Sequence, residues 1–188
     1  IGASFDGDAD RLIMVDEEGN IVNGDLILTL LAKYFSEINK LENNIVVSTV
    51  MSNYGFKQAM QKFKIDLIET PVGDKYVAEA MSKYKATLGG EQSGHVIISH
   101  LLPVGDGITT LIMVLKAIKH FGMRLCDFRN ENLFEYPQKL TNIELKNKLN
   151  DEEIEYINQI ALDMSIRKDL DGRYLIRNSG TEPLLRVL

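Results

Sequence analysis

The chain has 188 residues, of which 45% are hydrophobic, 26% are charged and 7% are aromatic. This composition is typical of a globular protein, and the length suffices to bury a core without disulfide or metal cross-links. The single cysteine, Cys126, excludes an internal disulfide framework and predicts a reducing, cytoplasmic setting. The net charge of -6 without a basic block disfavours nucleic acid as a partner, and no apolar run approaches the roughly 20 residues of a membrane span.

Predicted strands and helices alternate along the first two thirds of the chain. Strands are predicted at residues 1–5, 12–15 and 21–22, and a helix over 25–38 with Asp25 as its cap. The elements predicted beyond it are strand 45–50, helix 53–63, strand 65–69, helix 74–84, strand 96–98 and a helix from 107 to about 121. Such alternation predicts an α/β domain with a mainly parallel sheet, because parallel strands need crossover connections.

The last third is predicted to form a smaller α+β unit. A connector with a short helix is expected over residues 122–136, ended by Pro137. After it come a strand at 140–145, a helix at 152–164, and extended segments at 173–176 and 184–188. Because both ends of the chain fall in apolar, strand-like runs, we expect it to be part of a longer protein.

Three carboxylates stand at alternate positions between the first two predicted strands, at Asp6, Asp8 and Asp10. On an extended backbone they point the same way and repel one another unless a cation lies among them. All-oxygen ligation selects Mg²⁺, Mn²⁺ or Ca²⁺ over zinc. An EF-hand is disfavoured because Arg11 stands where that loop requires glycine, and a solvated acidic turn is the structural alternative.

Two further polar loops carry groups suited to a phosphorylated polyol. In residues 90–95, Glu91 and Ser93 can bind hydroxyl groups and His95 can donate, accept or titrate, although a histidine beside glycines is often structural.

The third loop, residues 177–183, has the composition of a phosphate cradle, and a plain hairpin turn is its alternative. Its candidate phosphate ligands are Arg177, Ser179, Gly180 and Thr181. A metal site, a polyol loop and a phosphate cradle in one chain together predict a phosphosugar enzyme.

Four motifs resemble, in order and spacing, those of the α-D-phosphohexomutase superfamily. They occupy residues 6–11, 72–77, 90–95 and 177–183, and the likeness covers essentially the whole chain. The forms of the last two loops, with the stretch at 48–55, favour the members that act on glucosamine phosphates over those that act on mannose or glucose phosphates.

The resemblance implies a domain organisation. Residues 1–22 would be the end of a second, mixed α/β domain, and 23–127 one complete phosphohexomutase-type α/β domain. Residues 128–188 would be most of a smaller α+β, TATA-binding-protein-like C-terminal domain. The family's first domain, with the phosphoserine that donates and recovers the phosphoryl group, has no counterpart here, so this chain is expected not to turn over alone.

The resemblance also implies roles for the motif residues. Asp6, Asp8 and Asp10 would hold Mg²⁺, while Glu91 and Ser93 would bind the sugar hydroxyls of a hexosamine phosphate. The residues Arg177, Ser179, Gly180 and Thr181 would hold the phosphate that is not reacting. Supporting catalytic roles would fall to Arg11, Lys75 and His95. Arg186, outside these motifs, could add charge near the phosphate or face solvent from its strand, and the second is preferred.

Overall fold

The computed structural model describes residues 1–167, 174–179 and 183–188. It forms two compact units, Ile1–Tyr136 and Pro137–Leu188. The sequence suggested a division after residue 127, and that position lies inside a helix of the first unit, Leu125–Asn132.

The first unit begins with a small antiparallel sheet. Strand β1 (Gly2–Phe5) pairs with β2 (Leu12–Val15), which pairs with β3 (Ile21–Val22). Phe5 lies opposite Leu12, so the six residues between them form the loop of a hairpin. That loop carries Asp6, Asp8 and Asp10, and it lies between two strands as the sequence predicted.

Five further strands form one mixed sheet in the order β5-β4-β6-β7-β8. They are β4 (Ile45–Thr49), β5 (Asp66–Thr70), β6 (Leu88–Gly90), β7 (Val96–Ile98) and β8 (Leu102–Gly105). Strand β4 runs parallel to β5 and β6, whereas β6, β7 and β8 pair antiparallel. The expectation of a mainly parallel sheet is wrong at β7 and β8, because the connections before these strands are too short for a crossover.

Helices cover the mixed sheet, and a 3-10 turn (Glu42–Asn44) precedes β4. They are α1 (Gly24–Glu37), α2 (Tyr54–Phe63), α3 (Asp74–Tyr84), α4 (Gly107–Phe121) and α5 (Leu125–Asn132). Helix α1 is buried along most of its length because it packs against α2, α4 and β6 together. Its cap is Asn23, whose side chain accepts from Leu26 N at 3.2 Å, so Asp25 is not the cap that the sequence suggested.

Helix α5 is fastened to the turn between β2 and β3. The carboxylate of Glu17 accepts from Leu125 N at 3.2 Å and from Cys126 N at 3.0 Å, which caps the helix. Burial alone would raise the pKa of Glu17, but these donors outweigh it and lower the pKa. Asp16 and Arg129 form an ion pair at 3.3 Å, and the Asp16 side chain is fully buried. These contacts explain why α5 belongs to the first unit.

The second unit contains β9 (Thr141–Glu144), α6 (Asp151–Arg167), β10 (Ile176–Asn178) and β11 (Leu184–Val187). The strands form an antiparallel sheet in the order β10-β11-β9, and α6 packs against β10. A small α+β unit was predicted, and the described residues form one. Within the described part of the chain, no helix combines the length and apolar character that crossing a bilayer requires.

Candidate functional site

The acidic loop, residues 6–11, brings its three carboxylates together. One oxygen of each of Asp6, Asp8 and Asp10 lies within 4.8 Å of the other two. Ala9 adopts a φ of 60°, and its carbonyl accepts from Gly107 N at 2.9 Å, which holds the loop against the start of α4. The three aspartates that the sequence singled out therefore form a cluster of oxygen donors.

The electrostatics of this cluster suit a cation. Burial, followed by the charges of Asp8 and Asp6, raises the pKa of Asp10, and His95 acts in the opposite direction. Asp10 Oδ1 is buried and accepts no hydrogen bond from the described residues. A divalent ion would relieve the repulsion and satisfy that oxygen, and an oxygen-only donor set fits Mg²⁺.

Backbone contacts join the acidic loop to residues 90–95. Arg11 and His95 form an antiparallel bridge, and Leu12 N donates to Gly94 O at 3.0 Å. The Arg11 guanidinium lies 3.7 Å from Asp6 and 3.9 Å from Asp10, while His95 Nε2 lies 3.6 Å from Asp10 Oδ2. Two motifs 80 residues apart thus form one continuous polar site, which the sequence alone could not place.

Residues 91–95, the Glu91 loop, form the turn between β6 and β7, and Glu91 is oriented from outside that turn. Its Oε1 accepts from Gly73 N at 3.1 Å, where Gly73 has a φ of 134°. Because that backbone conformation favours glycine, the motif at 72–77 serves to hold Glu91 in place. Ser93 is exposed and its hydroxyl is open to a ligand.

Lys75 and His95 line the same open recess, of about 110 Å³, with Asp74 and Gly105. Lys75 Nζ lies 4.8 Å from the centre of the Tyr76 ring. His95 is buried, and its Nδ1 makes no hydrogen bond with the described residues. Two of the three residues expected to support the chemistry, Lys75 and His95, therefore line one recess.

Gly105 makes room for the imidazole of His95. A methyl group at position 105 would lie 2.1 Å from His95 Nε2, so we expect Gly105→Ala to displace the ring from Asp10 and to lower the free energy of unfolding by about 1–2 kcal/mol. Chemical denaturation measures this cost. In a His95→Ala background the same change should cost almost nothing, and an equal cost in both backgrounds would show that the ring is not the obstacle.

Sequence reasoning gave no site role to three polar residues that contact one another in or beside residues 90–95. Asp25 and Asn53 are buried, and Gln92 is half-buried with its side chain donating to Asp25 at 3.1 Å. Asn53 N also donates to Asp25, at 2.7 Å. The available signal was an acidic residue, Asp25, directly before residues 26–32, which are apolar except for Thr29.

The phosphate-loop residues belong to the second unit. Arg177 in β10 lies directly opposite Arg186 in β11, and both are partly buried, so two positive charges share one face of the sheet. Burial and then Arg186 lower the pKa of Arg177. Arg186 therefore does not simply face solvent, as the sequence suggested. Ser179 is buried, and the predicted ligands Gly180 and Thr181 lie outside the described residues.

The mixed α/β unit and the smaller α+β unit each match a family model. Residues 23–136 match the phosphoglucomutase/phosphomannomutase α/β/α domain III, and residues 140–188 match the C-terminal domain of the same family. The chain belongs to the phosphoglucomutase/phosphomannomutase family.

Individual relatives of this chain include mutases of amino-sugar phosphates. A phosphoglucosamine mutase of Streptococcus agalactiae serotype Ia is 48% identical over the whole chain, which spans 42% of that relative's length. A crystal structure of an N-acetylglucosamine-phosphate mutase in its product complex is 25% identical. The match includes 98% of this chain and 44% of that protein's chain, with a TM-score of 0.78. An Aspergillus fumigatus N-acetylphosphoglucosamine mutase in complex with GlcNAc-6P and magnesium, 24% identical, shares the fold with a TM-score of 0.78 over 98% of this chain and 47% of its own.

Proposed function

We propose that this chain is part of a phosphoglucosamine mutase, which interconverts glucosamine 6-phosphate and glucosamine 1-phosphate for peptidoglycan precursor synthesis. The reaction passes through a bisphosphate and uses a phosphoserine located outside these residues, in N-terminal domains that act as partners of this part. The observation that carries the proposal is the hydrogen-bonded union of the acidic loop with the loop of Glu91. The 48% identity to a phosphoglucosamine mutase over the whole chain supports the same assignment.

Asp6, Asp8 and Asp10 hold Mg²⁺ in this proposal. When bound, Mg²⁺ neutralises phosphoryl charge during transfer. Arg11 keeps two of the three carboxylates oriented, and its remaining donors are available to a phosphate. His95 and Lys75 line the recess beside the metal loop, where they supply donors to the transferring group.

Glu91 and Ser93 bind sugar hydroxyls in this proposal, because a carboxylate fixed by Gly73 can accept from vicinal hydroxyls without reorganising. The second unit binds the phosphate that is not reacting through Arg177, Ser179, Gly180 and Thr181.

The division at residues 22 and 127 stays a prediction, as do the cytoplasmic location and the absence of nucleic-acid and membrane partners.

Calorimetric titration of the chain in Mg²⁺ buffer, with glucosamine 6-phosphate and then with glucose 6-phosphate, tests the proposal. Preference for the amino sugar supports it. Equal binding points instead to a phosphomannomutase or phosphoglucomutase. Binding of neither sugar, with calcium bound in preference to magnesium, indicates a calcium-binding structural domain. A non-catalytic binding module is distinguished by adding the N-terminal domains, which restore turnover only if this chain is part of a mutase.

Asp8→Asn is expected to weaken Mn²⁺ binding, used as a spectroscopic substitute for Mg²⁺, by about tenfold or more, because one of three charged ligands is lost. Water-proton relaxation measures the affinity. Asp66→Asn, at the exposed first residue of β5, is the matched control and should bind as the unmodified chain does. Equal weakening in both variants would show that general charge, rather than this cluster, attracts the ion.

A further inference from the structure

Asp25 is a fully buried carboxylate at the first turn of α1. No cation pairs with it among the described residues, although buried carboxylates are ordinarily paired or metal-bound. Its Oδ2 accepts from Asn53 N at 2.7 Å and from Gln92 Nε2 at 3.1 Å, and the Ser52 side chain also hydrogen-bonds to this carboxyl group. Asn53 and Gln92 come from segments 28 and 67 residues away along the chain, so one oxygen holds together two distant pieces.

The first arm from Asp25 reaches the Glu91 loop. Gln92 donates to Asp25 through its side chain, and its carbonyl accepts from Gly24 N at 2.9 Å. Gln92 lies between Glu91 and Ser93, the two residues proposed to bind the sugar hydroxyls. The positions of Glu91 and Ser93 therefore depend on Gln92, which is hydrogen-bonded to Asp25.

The second arm reaches residues 133–136, here termed the exit segment because the first unit ends there at Tyr136. The side chain of Asn53 accepts from Tyr136 N at 3.0 Å and donates to Tyr136 O at 2.9 Å. Asn53 also caps α2 by accepting from Gly55 N at 2.9 Å. The backbone N–H of Asn53 donates to Asp25. The carboxylate therefore holds the Asn53 backbone in place, and with it the side-chain amide that contacts Tyr136.

We propose that Asp25 is a positioning residue that holds the Glu91 loop and the exit segment in one fixed arrangement, a role that rests on the proposed function. Through it, occupancy of the sugar site and the position of the chain at Tyr136 are coupled. A neutral residue accepts weaker hydrogen bonds than a carboxylate, so loss of the charge loosens both arms together. Burial raises the pKa of Asp25 to about 6, with Glu135 of the exit segment the charged group that raises it further, while Asn53, Ser52 and Gln92 lower it.

Residue-resolved amide exchange by NMR on the full chain tests the coupling. In Asp25→Asn we expect the amides of Gly24, Asn53 and Tyr136 to exchange about fivefold faster or more, while core amides of β4 exchange no faster. In the unmodified chain the same amides should lose protection together on acidification through about pH 6, after correction for intrinsic exchange, and Asp25→Asn should lack that step. The pH series on the unmodified chain tests the proposal even if the variant fails to fold.

Addition of glucosamine 6-phosphate separates the positioning role from a merely structural one. Saturating ligand is expected to slow exchange at Tyr136 in the unmodified chain and not in Asp25→Asn. Faster exchange at Asn53 alone, uniform acceleration throughout, or ligand protection of Tyr136 that survives the substitution would each overturn the proposal. Absence of sugar binding would instead count against the proposed function, since the ligand-free exchange comparison stands without it.

Discussion

Gly24→Ala is expected to lower the free energy of unfolding by about 2–3 kcal/mol and to displace the Glu91 loop. A methyl group at position 24 would lie 1.9 Å from Glu91 O and 2.9 Å from Gly94 N. Both atoms belong to the backbone, so the strain cannot be relieved by rotating a side chain. The gain that alanine normally brings to a helix is smaller than this cost.

Chemical denaturation gives the stability of Gly24→Ala, and calorimetry with glucosamine 6-phosphate gives its affinity. Gly7→Ala is the matched control, because a methyl group at position 7 meets no atom within 4 Å. The control should stay within about 0.5 kcal/mol of the unmodified chain. A Gly24→Ala chain of unchanged stability and affinity would contradict the close approach of α1 to this loop.

Asp25→Asn is expected to increase the free energy of unfolding at neutral pH. Asp25 has a pKa of about 6 in the folded chain against 3.8 ordinarily, because burial disfavours its charged form. Between those values the folded chain holds a proton that the unfolded chain has lost, so stability falls as pH rises from about 4 to about 6. At 1.36 kcal/mol per pH unit the loss approaches about 3 kcal/mol, which the amide variant avoids above pH 6.

Thermal and urea unfolding at a series of pH values measure this difference. The two stability curves should converge below about pH 4 and separate above about pH 6. Asp16→Asn is the control of opposite sign: burial alone would raise the pKa of Asp16, but hydrogen bonds from Asn20 and Glu18 and the charge of Arg129 lower it overall. The Asp16 variant should therefore be less stable at neutral pH and approach the unmodified chain in acid. Parallel curves for Asp25→Asn would refute the raised pKa.

Local features were readable from the sequence where the signal was local. The helices at Asp74–Tyr84 and Gly107–Phe121 have the predicted bounds, since periodicity marks their apolar faces and Gly122, at a φ of 62°, ends the second. The three aspartates of the acidic loop were found for the same reason. The extended backbone assumed for them is wrong, because residues 6–9 form a turn in which Ala9 has a φ of 60° and its N–H donates to Asp6 O at 3.3 Å.

Features that depend on distant pairing could not be read in this way. The antiparallel placement of β7 and β8 follows from loop lengths that the predicted elements did not resolve. The hydrogen bond from Gly73 to Glu91 joins residues 18 apart in sequence, and the one from Gln92 to Asp25 joins residues 67 apart. Such contacts are specified by tertiary packing, which has no period along the chain.

The joining of the two loops by main-chain hydrogen bonds gives the site a tolerance for chemical change. Leu12 N donates to Gly94 O between the two loops, while Gly24 N to Gln92 O and Gly107 N to Ala9 O tie each loop to the start of a helix. The spacing between the proposed metal and sugar ligands is thus set without using any side chain. Exposed positions such as Asp8 and Ser93 can therefore be exchanged by engineering while the distance between the loops is preserved. Proline at position 12, which removes an N–H, or a bulkier residue at position 24 would instead alter the spacing itself.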